Sequence, residues 1–229
     1  LDPEAVRFYS SRADLYALLG HYNVGMGYYD KAEEDYTKAI ELEPDNYQQY
    51  SNRASFYRVH MQEYLLALSD HSKMIDLYPE YSGAYSKRGT CYVIMGQYDK
   101  ANNDFKKAIK LDPENTTPYF NRAKMYSILE DHDKEMADYL KTIELNDEDP
   151  EGYYYLALTY AKQNKSHKAI SYFTKAISKM SADLGYIISE GLHDVVVELY
   201  DLYLKRAEIY KNVDAIGLMC EDYQKACEL

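Results

Sequence analysis

The sequence predicts an all-α protein, a helical-hairpin solenoid, and three observations carry that expectation. Residues 81–113, YSGAYSKRGTCYVIMGQYDKANNDFKKAIKLDP, hold two apolar stripes at helical spacing, one on each side of Gly96. The same pattern recurs along the chain, so self-similarity rather than local propensity sets the architecture. Tyrosine is also placed periodically. The small residues Ala13, Ala54, Gly89, Ala123, Ala157 and Ala207 each follow a tyrosine by four residues and precede another by three.

Within residues 81–113, Tyr85 and Tyr92 flank Gly89 on one face of a first helix. Gly96 ends that helix where a left-handed residue is needed. Ala101, Phe105 and Ala108 form the stripe of a second helix, and Leu111 and Pro113 close the unit. Small residues on both stripes let two antiparallel helices approach closely, with Phe105 filling the space beside them. Ile40, Ile75, Ile109, Ile143 and Ile177, then Cys227, repeat one further position.

The units are expected at about 2–45, 46–80, 81–114, 115–148, 149–182 and 193–229. Asp2 and Pro3 start the first helix, a capping carboxylate followed by proline at the first helical position. That helix should end at Gly20, with an inserted loop at 21–27 before a second helix at Tyr28–Leu42. The second unit has one extra residue near 61–63 and places His71 and Met74 in the aromatic and small slots. The fourth unit puts Glu135 and Thr142 where alanine is usual. A buried unpaired carboxylate is costly, so its second helix is expected to shift and free Glu135. The fifth unit is regular, and an insertion at 184–199 then precedes a last first-helix that begins early, near His193. Leu1-Asp2-Pro3-Glu4 repeats the closing Leu-Asp-Pro-Glu of residues 111–114, so the chain reads as beginning mid-protein.

The chain has 229 residues, 28 tyrosines, five phenylalanines and no tryptophan. Tyrosine can pack its ring and wet its hydroxyl, which suits a thin protein with little deep interior. A net charge of −12 argues against nucleic acid held through its phosphates. No run of residues is apolar enough for a membrane span. Cys220 and Cys227 are seven residues apart on one expected helix, about 10 Å between Cα atoms, too far to bridge. Cys91 reads as a small buried hydrophobe, and this cysteine usage points to a reducing compartment such as the cytoplasm. The histidines share no repeat position, and neither a serine elbow nor a phosphate-binding glycine loop occurs. Glu130-Asp131-His132-Asp133 reads as a solvated turn rather than a metal site. No enzyme activity and no cofactor are expected.

Period, small residues, aromatics and the closing Pro44, Pro79 and Pro113 together resemble the tetratricopeptide repeat (TPR) family over essentially the whole chain. The resemblance implies a right-handed superhelix of antiparallel helix pairs whose first helices line a concave groove that receives a partner protein or peptide. The groove positions carry seven basic residues (Arg7, Arg58, Lys87, Lys124, Lys162, Lys205, Lys211) and four acidic ones (Asp14, Glu151, Asp201, Glu208), a net +3 in an acidic chain. Asn52 and Lys87 look like two members of the clamp by which some chaperone-binding TPR domains hold a terminal carboxylate, with Arg58 a helper. Ser10, Asp14 and Gly83 depart from the rest of that clamp. The expectation is a broader preference for acidic segments centred on Asn52, Arg58, Lys87, Asn121 and Lys124, with apolar contact from Phe120, Tyr154 and Tyr155. A structural or self-associating scaffold is the alternative, and a sensor domain of a larger protein a third reading.

Overall fold

The computed structural model describes residues 3–22, 27–182 and 193–229. Among them twelve α-helices and one π-helical turn follow one another, and no strand occurs. The chain divides into two compact units, Leu1–Pro113 and Glu114–Leu229. The first holds α1 (Pro3–Tyr22), α2 (Tyr28–Leu42), α3 (Tyr47–Phe56), a π turn (Tyr57–Met61), α4 (Tyr64–Leu77), α5 (Ser82–Ile94) and α6 (Tyr98–Leu111). The second holds α7 (Thr116–Ile128), α8 (His132–Leu145), α9 (Pro150–Lys162), α10 (Ser166–Ser181), α11 (His193–Asn212) and α12 (Ile216–Glu228). In each unit odd and even helices pair as hairpins, and neighbouring hairpins pack on one another.

The small anchors sit at the closest approaches. Ala13, Ala54, Ala123, Ala157 and Ala207 are fully buried. A Cβ built on Gly89 would lie 2.9 Å from Cε1 of Phe105, so the ring occupies the space an alanine methyl would need. The tyrosines have two jobs. The hydroxyl of Tyr50 donates to the Pro44 carbonyl at 2.9 Å, and that of Tyr85 to the Pro79 carbonyl at 3.0 Å, tying each first helix to the turn before it. Their rings, with those three residues beyond the anchor, flank a repeated arginine described below.

Each hairpin turn contains a left-handed residue: Gly27, Gln62, Gly96, Glu130, Asn164 and Asp214. The next amide reaches back to the tyrosine beyond the anchor, as in Gln97 to Tyr92 (2.8 Å), Asp131 to Tyr126 (3.0 Å) and Lys165 to Tyr160 (2.9 Å). Only two of the six are glycine. Replacing Glu130 (φ 56°) by glycine should therefore raise stability by about 1 kcal/mol, read from the midpoint of urea unfolding. An unchanged or lower midpoint would mean that the turn carries no strain.

The extra residue of the second unit is absorbed within the first helix. The π turn widens the hydrogen-bonded ring by one residue, so the returning bond runs from Glu63 to Tyr57 at 2.9 Å, one residue longer than its counterparts. His71 and Met74 are both buried in the slots the repeat assigns them, at 2% and 0% exposure. Cys91 is fully buried and its thiol is pushed up to about 11 by burial, while Cys220 and Cys227 are exposed and unbridged.

Two expectations are corrected. α1 does not stop at Gly20 but continues to Tyr22. Gly20 serves a close approach instead, because a Cβ there would collide with the Tyr29 ring. Glu135 is not freed by a shifted helix. It is 2% exposed, and its two oxygens are separately paired, one accepting from the Thr159 hydroxyl at 2.8 Å and the other set 2.9 Å from Nδ1 of His132. Pairing within the core removes the penalty that would have driven it outward. Thr142 likewise satisfies its hydroxyl by donating to the Tyr139 carbonyl at 2.8 Å.

The expected interruption at 184–192 and most of the loop at 21–27 lie outside the described residues. The helix that follows, α11, begins at His193 and runs for 20 residues, longer than the 13 of α5, α7 and α9 but equal to α1.

Candidate functional site

Five of the six first helices carry an arginine immediately before the anchor, and each meets an aspartate of the second helix. Arg12 pairs with Asp35, Arg53 with Asp70, Arg88 with Asp104, Arg122 with Asp138 and Arg206 with Asp222. All are two-pronged, with contacts of 2.6–2.9 Å. The forked guanidinium matches a carboxylate edge, and the hydrogen bonds to Asp104 hold the Arg88 charge firmly in place, raising its pKa. Tyrosine rings flank the same groups: Arg88 lies 5.9 Å from both Tyr85 and Tyr92, and Arg206 lies 5.7 Å from both Tyr203 and Tyr210. A third donor crosses to the preceding hairpin, from Arg53 to Thr37 (3.0 Å), Arg88 to Ser72 (3.3 Å) and Arg206 to Thr174 (2.8 Å). The fifth hairpin alone has Leu156 and Tyr172 in these places. This network is structural and consumes its own charges. First-helix cations outside it differ in their partners: Lys205 lies 3.9 Å from Asp201 and Lys162 donates to Ser127 at 3.0 Å.

In the first unit Arg7, Arg58 and Lys87 stand outside the network, and the last two lie near each other. Lys87 of α5 donates to the Ser51 hydroxyl of α3 at 2.6 Å, which bridges two first helices. Its pKa is lowered, first because the ammonium is partly withdrawn from water and then because Arg58 lies near. Arg58 sits on the π turn, and among the described residues neither it nor Lys87 has a carboxylate within ion-pair distance. His71 lies in reach of both charges. Its ring is buried and kept neutral, with a pKa of about 3 set by burial and then by Lys87, Arg58 and Arg88. Asn52 is on the same face but holds the Gln48 amide at 2.7 Å through its own oxygen. Asp14, the acid nearest the start of the face, accepts from the Tyr36 hydroxyl at 2.6 Å.

In the second unit the remaining expected residues gather into an aromatic cluster. Phe120 and Tyr155 meet edge to face at 5.2 Å, and Tyr154 meets Tyr155 at 5.1 Å. The Lys124 ammonium lies 5.4 Å from the centres of both Phe120 and Tyr155. Asn121 stands half-buried on α7. Tyr154 also has a polar partner. Its hydroxyl donates to Asp201 at 3.2 Å, and the phenol is pushed up to about 12, by burial first and then by Asp201. Tyr154 and Tyr155 line a cavity of about 220 Å³ together with Glu151, Glu198, Asp201, Pro150, Met180, Val197 and Leu202. The Glu151 carboxyl is raised by burial, then by Asp149 and Glu198, against the opposing pull of Lys124. The expected site residues therefore fall into two sets, Asn52, Arg58 and Lys87 in one unit, and Phe120, Asn121, Lys124, Tyr154 and Tyr155 in the other. The first set is free of carboxylates, whereas the second adjoins three.

Hairpins stacked on hairpins, with faces of uncommitted charge and exposed rings, define a helical-repeat interaction protein. Profiles of the tetratricopeptide repeat match residues 13–46 and 117–149, 138–171 and, under the description TPR repeat, 89–127, together about half of the chain. The chain belongs to the tetratricopeptide repeat family. Solved structures similar in fold include PilW, a type IV pilus biogenesis factor (16% identity, 92% of this chain and 90% of that one, TM-score 0.67). YrrB, described as a TPR protein with an unusual peptide-binding site, is 22% identical over 86% of this chain and 92% of its own, with a TM-score of 0.57. MamA is 23% identical over 70% of this chain and 93% of its own, with a TM-score of 0.60. No match was found among curated protein sequences. Among the described residues no helix is long and apolar enough to cross a membrane, and no cluster of metal-ligating side chains occurs. In the Glu130–Asp133 run, Asp131 instead caps the first turn of α8.

Proposed function

We propose that the protein is a non-catalytic interaction module whose groove face takes an acidic segment of a partner protein, with Lys87 and Arg58 as its principal charges. The observation that carries this reading is their freedom. Five arginines of the repeat are each matched by an aspartate, whereas these two cations have none, in a chain of net charge −12. An acidic segment gains Coulomb attraction there without first displacing an internal carboxylate. In the first unit Asn52 offers an amide donor, and in the second Asn121 does so, beside a mixed cationic and aromatic contact from Lys124, Phe120, Tyr154 and Tyr155. A peptide-binding site in a protein of the same fold, as described for YrrB, is compatible with this use of the surface.

The test is a panel of acidic, neutral and basic peptides against the wild type and Lys87→Ala/Lys124→Ala. Acidic peptides should bind best, weaken as salt rises, and lose affinity in the double variant. Equal binding of the three classes, or an unaffected double variant, would reject the reading.

Self-association is the second reading. Phe8, Leu15 and Tyr22 recur every seven residues on α1 and are 55%, 53% and 75% exposed, an apolar stripe of the spacing that pairs helices. Sedimentation that depends on protein concentration and is lost in Leu15→Lys would favour it.

A further inference from the structure

The uncommitted charges of the first unit differ from a generally basic surface in how they are held. Lys87 is exposed to solvent, yet its ammonium is fixed by the 2.6 Å bond to Ser51, itself 3% exposed. That bond uses one of three ammonium hydrogens and leaves the serine hydroxyl hydrogen to be donated elsewhere. Arg58 brings a second permanent charge on the π turn, with its guanidinium fork unspent. His71 contributes a buried polar atom: the ring is 2% exposed and its Nδ1 has no hydrogen-bond partner. This open polar atom lies within electrostatic reach of both Lys87 and Arg58.

We infer that this cluster of Arg58, Lys87, Ser51 and His71 receives a phosphoryl group carried by the partner segment, such as a phosphorylated serine or threonine. The inference rests on the acidic-segment reading above and narrows it. Charge decides between a phosphoryl group and a carboxylate side chain. Two neighbouring cations, one of them held by Ser51, call for nearly two negative charges, and a phosphomonoester carries about −1.5 to −2 at neutral pH. A glutamate would leave one cation uncompensated. The number of donors agrees with the charge: a guanidinium fork offers two donors to two oxygens, and Lys87 keeps two ammonium hydrogens for the third. No carboxylate competes for these donors among the described residues.

The experiment uses the whole chain and three peptides that differ at one residue, phosphoserine, glutamate or serine, in an otherwise acidic sequence. The phosphoserine peptide should bind about tenfold more tightly than the glutamate peptide. Arg58→Gln and Lys87→Gln should each abolish that advantage without altering the helical circular dichroism. Lys162→Gln, which touches a lysine of the other unit bonded to Ser127, should leave it intact. Equal affinity for phosphoserine and glutamate peptides would overturn this inference while leaving the acidic-segment reading in place. If neither exceeds the serine peptide, the inference falls; the acidic-segment reading falls as well only if a fourth peptide, with the acidic residues replaced by their amides, binds equally. Retention on vesicles bearing phosphorylated inositol lipids, with no gain for the phosphopeptide, would also overturn it, because the oxyanion would then come from a membrane.

Discussion

Replacing Arg88 by alanine is expected to lower stability by about 3–5 kcal/mol. The guanidinium and the carboxylate of Asp104 are only 21% and 9% exposed, so removing one partner strands the other in the core. Two further losses add to it: the bond to Ser72 in the preceding hairpin, and the ring contacts with Tyr85 and Tyr92. The chain carries its own control. Its fifth hairpin manages with Leu156 and Tyr172 in the equivalent places, so Arg88→Leu/Asp104→Tyr should recover most of the loss. Urea unfolding of the single and double variants measures both effects. A single-variant cost below about 1 kcal/mol would show that the pair behaves as a surface ion pair.

Acid should weaken the first unit through His71. Its pKa lies at about 3 in the folded protein, below the ordinary 6.5, because the ring is buried and then because Lys87, Arg58 and Arg88 face it. Between those two values the unfolded chain binds a proton that the folded chain does not, so stability falls as pH falls from 6.5 toward 3. The loss between pH 7 and pH 5 is about 2 kcal/mol for this group alone. His71→Phe places in the slot the side chain that Phe105 and Phe173 supply elsewhere, both fully buried. It should remove this part of the pH dependence, measured as the difference between wild-type and variant unfolding at the two pH values. Parallel curves would show that the imidazole is already protonated or solvated when folded.

The helices and their pairing were legible because small anchors and flanking tyrosines sit at fixed distances from each other. The arginine–aspartate pairs were equally present in the sequence but concealed by insertion. The partners are 16 residues apart in three hairpins, but 17 in the second and 23 in the first. The signal that could have found them is the arginine before five of the six anchors. The pairing of Glu135 is hidden in the sequence for a related reason. One of its partners, His132, lies within the same turn, but Thr159 is 24 residues on and reaches it only through packing between hairpins. The same limit applies to Tyr154 and Tyr155, whose acidic surroundings come partly from Glu198 and Asp201, more than forty residues away. Charge counted position by position cannot show which cations already have a partner. That distinction separates Arg88, which is structural, from Arg58, which is free.

The freedom of Arg58 and Lys87 is tested most directly by the salt dependence of binding. A fluorescent acidic peptide should bind the wild type with an affinity that falls steadily as salt rises. The Arg58→Gln/Lys87→Gln variant should bind it about tenfold more weakly at low salt and show a much shallower slope. An affinity insensitive to salt, or a double variant with the wild-type slope, would contradict the account.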